Sequence, residues 1–110
     1  MDYTTEILEK ANDTINQRAA IRDTPRERSM KGTVEAFNAL YGTNLTESQG
    51  WQFMVLLKIK RGAQGIYRED DFIDQAAYSS LAAEAKKAES YDDNLKVLAE
   101  KAQKTAVSEG

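Results

Sequence analysis

Between Thr46 and Gly62 the chain carries a run with one good solution in water. Thr46 and Gln49 stand at the spacing of a helix capping box, and Trp51 to Lys60 follow without a breaker before Gly62. Inside that run, Phe53-Met54-Val55-Leu56-Leu57 is apolar on every side of a helix. A helix of this kind needs neighbours all round. The run therefore predicts an all-α fold, a compact bundle of four to five helices with this one at the centre of the core.

The flanking sequence supplies the other helices. Leu8, Ala11, Ile15 and Ala19 recur at helical spacing and predict a first helix from about Thr4 to Arg18. Pro25, the single proline, disfavours helical geometry at Thr24, so residues 20–32 read as an ordered connection. A short helix fits Thr33 to Tyr41, with Thr33 as N-cap, Val34, Phe37 and Leu40 or Tyr41 facing inward, and Gly42 as its stop. After a loop at residues 62–69, Asp70 or Asp71 caps a fourth helix reaching about Glu89. A fifth is expected from Asp92 to Thr105, with Leu95, Leu98 and Ala102 on a narrow stripe and Glu100 paired to Lys104. The expected organisation is one domain over residues 1–106 with a flexible tail at 107–110.

Composition then narrows the chemistry. The 110 residues include no cysteine and no histidine. Disulfides, thiolate nucleophiles, thiolate zinc sites and histidine-based acid–base pairs are all excluded. Catalysis would have to use carboxylates, Lys, Arg, Tyr, Ser or Thr, and a metal would have to be oxygen-ligated, Mg²⁺ foremost. No apolar run approaches the roughly 18 residues of a membrane span. The opening Met-Asp-Tyr-Thr-Thr-Glu lacks a basic and an apolar signal region, so a cytoplasmic chain is expected. A net charge of −3 argues against broad binding to duplex nucleic acid, though a local basic patch can hold one phosphate-bearing ligand.

Three clusters are candidates for that chemistry. Arg18, Arg22, Arg26, Arg28 and Lys31 face only Asp23 and Glu27, five cations against two carboxylates, a local charge of +3. Guanidinium forks on a proline-stiffened connection suit phosphate oxygens; the competing reading is a solvated surface loop. Lys58 falls on an otherwise apolar helix side with Arg61 one turn on; either both stems snorkel along the core with their charges favouring the helix C-terminus, or they meet a carboxylate or a ligand phosphate. Asp71, Asp74 and Tyr78 share one helical face that continues to Leu81 and Ala85, so they point inward. Two carboxylates a turn apart hold Mg²⁺ only if a neighbouring helix adds a third, with Glu35, Glu47, Glu6 or Glu9 available; otherwise Lys58 or Arg61 neutralises them. Trp51, the single tryptophan, packs in the core or stacks on a base.

Glu27-Arg28-Ser29-Met30, Thr33-Val34-x-Ala36-Phe37-Asn38-Ala39, Gly50-Trp51, Leu56-Leu57-Lys58, Arg61 and Asp71-x-x-Asp74-x-Ala76-Ala77-Tyr78 together resemble a family of small phage and prophage helical proteins of unknown function. The resemblance covers residues 24–84. The helical layout is also similar, distantly, to the MazG-type all-α nucleotide pyrophosphatases. Those enzymes hold Mg²⁺ with a Glu-Glu-x-x-Glu helix and a Glu-x-x-Asp helix. Asp71 and Asp74 would stand for the second pattern, while the first has no counterpart beyond a lone Glu35 on helix two.

The resemblance implies a phage-type accessory protein that binds a nucleotide or nucleotide signal, altering nucleotide pools or countering host defence. Arg26, Arg28, Lys58 and Arg61 would contact phosphate, and Tyr78 or Trp51 would pack on the base. The enzymatic alternative is a Mg²⁺-dependent nucleotide pyrophosphatase with Asp71, Asp74 and Glu35 as ligands. A third reading is a helical module that docks on a host protein, and a homo-oligomer is expected of such bundles.

Overall fold

In the computed structural model, residues 2–21 and 29–109 are described, with side chains over 2–17 and 29–105. They form four helices, α1 Tyr3–Ile21, α2 Ser29–Tyr41, α3 Glu47–Gly62 and α4 Glu69–Glu109, and no strand among the described residues. The all-α expectation holds. None of these helices is long and apolar enough to cross a membrane.

The start of α3 is built as its sequence indicates. The Thr46 hydroxyl accepts from the Gln49 N–H, and the Gln49 side chain accepts from the Thr46 N–H at 2.9 Å. Gly42, at φ +65°, ends α2 in the left-handed region that favours glycine. Asn38 then fixes the turn between α2 and α3. Its amide donates to the Leu45 carbonyl and accepts from the Leu45 N–H, both at 2.9 Å, and also accepts from the Thr43 hydroxyl.

Four expectations are corrected. First, α2 begins four residues earlier than expected, and Thr33 is not its cap. Thr33 lies within the helix and its hydroxyl donates back to the Ser29 carbonyl. Second, the expected fourth and fifth helices are a single 41-residue helix that runs on through 107–109. Nothing between Glu89 and Asp92 breaks a helix, because no glycine or proline falls there.

Third, α3 is not surrounded. It packs on α4 and, near its start, on α2, while Phe53 and Leu56 remain 68% and 64% exposed. Fourth, two inward faces differ: on α1 the inward positions are Ile7, Ala11 and Ile15 while Leu8 is exposed, and on α2 Val34 is buried whereas Phe37, Leu40 and Tyr41 are exposed, because α2 packs on α3 alone among the described elements.

Among the described residues, the buried apolar side chains are Ala11, Val34, Ile73, Ala77, Tyr78, Leu81, Ala82 and Ala85. Half are alanines, so helices approach closely around α4 but bury little volume. Residues 90–105 of α4 are exposed on every side. The compactness expected from sequence is therefore limited to the part before this arm. The radius of gyration is 18.6 Å, against about 13 Å for a compact chain of this length.

Candidate functional site

The end of α3 and the start of α4 are brought side by side because the two helices run antiparallel. Gly62 lies against Asp71, Phe72 and Gln75, and Gln75 donates to the Lys58 carbonyl at 3.4 Å. Farther along, Trp51 stacks on Tyr78 with ring centroids 5.8 Å apart. At the other end of the pair, Glu89 accepts from the Ser48 N–H at 3.0 Å and from the Ser48 hydroxyl at 2.7 Å. Burial raises the Glu89 pKa, but the Ser48 donors, with Lys86 and Thr46, outweigh it and hold the carboxyl below its ordinary value.

α1 lies along the first turns of α4 through Ala11, Ile73 and Ala77. A polar latch fastens it there. Lys10 pairs with Glu69, and the Tyr3 hydroxyl donates to Glu69 at 3.0 Å while sharing a hydrogen bond with Tyr67. The Lys10 and Tyr3 donors lower the Glu69 pKa, and the Tyr67 and Glu69 bonds raise that of Tyr3.

These contacts leave a cleft of about 520 Å³ among α1, the last turns of α3 and the first turns of α4. Thr14, Lys58, Arg61, Arg68, Asp70, Asp71, Ile73 and Asp74 line it. The acidic and basic clusters, 16 residues apart in sequence at Lys58 and Asp74, therefore meet in space. Lys58 Nζ lies 2.9 Å from Asp74 Oδ2, with both side chains largely buried. The partner that Lys58 requires is thus a carboxylate. Asp71 is 8% exposed and faces the same cleft. Among the described residues, no ion pair engages Arg61, Arg68 or Asp71.

The other candidates fall elsewhere. Arg26 and Arg28 lie outside the described residues. Trp51 and Tyr78 stack on each other and neither lines the cleft, so the base-packing role expected of them has no support in its wall. Glu35 is exposed on α2, a helix that touches α3 alone among the described elements. It does not join Asp71 and Asp74, and no group of three carboxylates among the described residues is placed to hold a metal ion. The three ligands named from sequence are therefore not brought together. Reading the sequence also missed Arg68, whose signal is a single cation directly before the acidic run Glu69-Asp70-Asp71.

No curated protein and no solved structure matches the chain. One family does, over residues 6–86, described as a domain of unknown function, DUF6378. The match takes in every residue that lines the cleft and stops before the exposed arm of α4. The chain belongs to the DUF6378 family.

Proposed function

We propose that the cleft binds a small phosphate-bearing ligand, a nucleotide, with Arg61 and Arg68 on its phosphate oxygens. One observation carries this reading. Asp70, Asp71 and Asp74 line the same cleft, yet among the described residues neither guanidinium is paired with any of them. Two free forks about a shared cavity suit the bidentate geometry of phosphate.

Lys58 has a different part. Its ammonium is held by Asp74, so it sets the α3–α4 spacing and so the shape of the cleft floor. Asp71 gives the site its preference for a nucleotide over bare phosphate. A carboxylate accepts from a ribose hydroxyl or a base amino group and repels an anion that offers no donor. Binding of this kind needs no catalytic base, in keeping with a chain that has no histidine or cysteine. As a phage-type accessory protein, the chain would act by withholding a nucleotide or nucleotide signal from other proteins.

The test is to incubate the pure protein with a panel of nucleotides and cyclic nucleotides, ultrafilter, and analyse filtrate and heat-denatured retentate by mass spectrometry. A nucleotide depleted from the filtrate and recovered intact from the retentate is expected. Retention of none, or release of a monophosphate with pyrophosphate, would overturn the reading.

A further inference from the structure

We infer that the exposed apolar face of the α2–α3 hairpin is a docking surface for a second copy of this chain. The starting point is α2 itself. Val34 is its single buried residue, and α2 packs on α3 alone among the described elements. Phe37, Leu40 and Tyr41 on α2 are 41%, 78% and 68% exposed, and Phe53 and Leu56 on α3 are 68% and 64% exposed. On α3, successive turns carry Gly50, Phe53 and Leu56 progressively round from the α2 contact, so the bare apolar surface continues the α2–α3 seam.

Area argues for a partner that covers the face. The five side chains present on the order of 500–600 Å² to water, the upper end of the range for the largest patch of an ordinary monomer and most of one partner's share of a standard interface. A 13-residue helix with one buried side chain is also too short to hold itself in water.

Charge argues that the partner is another copy. Residues 36–46 contain no charged side chain in a chain that is 30% charged. A charged partner gains nothing from this stretch, whereas a two-fold contact sets it against its own neutral counterpart. Two helical hairpins meeting face to face form a four-helix layer, which closes with two-fold symmetry. The Asn38–Leu45 hydrogen bonds hold the turn of each hairpin in a fixed shape, so the surface is organised before association. The arm of α4 is the rival surface, with Leu95 and Leu98 exposed, but its charges recur every few residues and it lies outside the family match.

Light scattering after gel filtration, on the full chain at about 50 µM, tests the inference. The expected result is a mass near twice 12.3 kDa. Leu40→Glu and Phe53→Glu should each return it to the single-chain mass, while Leu98→Glu should not. A wild-type monomer would overturn the inference, as would a dimer that survives both hairpin variants or is lost through Leu98→Glu. Should a hairpin variant lose helix content by circular dichroism, hydrogen exchange on the wild type decides instead. Dilution should then raise exchange in residues 33–56 and leave residues 90–105 unchanged; equal exchange at both concentrations would overturn the inference.

Discussion

Replacing Gly50 with alanine should destabilise the protein although it improves the intrinsic helix propensity of α3. A Cβ at Gly50 would lie 2.5 Å from Met30 Sδ, 2.8 Å from Val34 Cγ1 and 3.0 Å from Met30 Cγ. Ordinary contact distances are about 3.5–4.0 Å, so roughly 1 Å of clearance is missing. Met30 has rotatable bonds and can yield. Val34 is β-branched and 6% exposed, so relief there requires α2 to move outward. Overpacking of this kind costs about 1–3 kcal/mol, while glycine to alanine in a helix returns about 1 kcal/mol. The net loss is about 1 kcal/mol, or a melting temperature lower by roughly 4–8 °C.

Gly32 provides the control. It lies within α2 with nothing within 4 Å of a new Cβ, so Gly32→Ala should stabilise by about 0.5–1 kcal/mol. Thermal unfolding followed by circular dichroism measures both. If Gly50→Ala stabilises as much as Gly32→Ala, the close packing of α2 on α3 is refuted.

Glu89→Ala should lower stability by about 1–3 kcal/mol, because it strands the N–H of Ser48, a residue 3% exposed, and leaves its hydroxyl only the 3.1 Å contact with the Thr46 hydroxyl; urea titration gives the value. The same contact makes stability pH-dependent. The folded Glu89 pKa lies below the ordinary glutamate value of 4.5, so its contribution is present above pH 4.5 and is lost as pH falls through the folded value. Urea midpoints from pH 6 to 3 should fall less steeply for Glu89→Gln than for wild type. A double-mutant cycle of Lys58→Met and Asp74→Asn should give a coupling of about 1–3 kcal/mol, and strict additivity would mean the buried pair contributes nothing. Removal of residues 92–110 should change the melting temperature by no more than about 2 °C, since every described side chain of that arm is exposed.

What could be read from the sequence follows the range of the interactions. The start of α3 was legible because Thr46 and Gln49 settle it within four residues, and Gly42 was legible because its backbone conformation favours glycine. The inward face Asp71, Asp74 and Tyr78 followed from periodicity alone, and all three are buried. The start of α2 was not legible. Gly32 is a poor helix former and Thr33 has the side chain of an N-cap, while the first turn is held by Met30 packing over Gly50, a contact twenty residues away. The all-round apolar run in α3 implied burial on every side, but a single chain supplies neighbours for only part of it. Within the site, Lys58 and Arg61 were legible from their placement on α3. Arg68 was not, because it enters the cleft through the turn into α4 rather than through any helical repeat.

Calorimetric titration of the retained nucleotide into wild type, Arg61→Ala, Arg68→Ala and Asp71→Asn tests the central claim most directly. The account predicts saturable binding at one site per chain, weakened by about tenfold or more in each arginine variant and further weakened by added salt. It also predicts that Asp71→Asn narrows the preference for nucleotide over inorganic phosphate. Equal affinity in wild type and both arginine variants would contradict it and remove the cleft as the binding site.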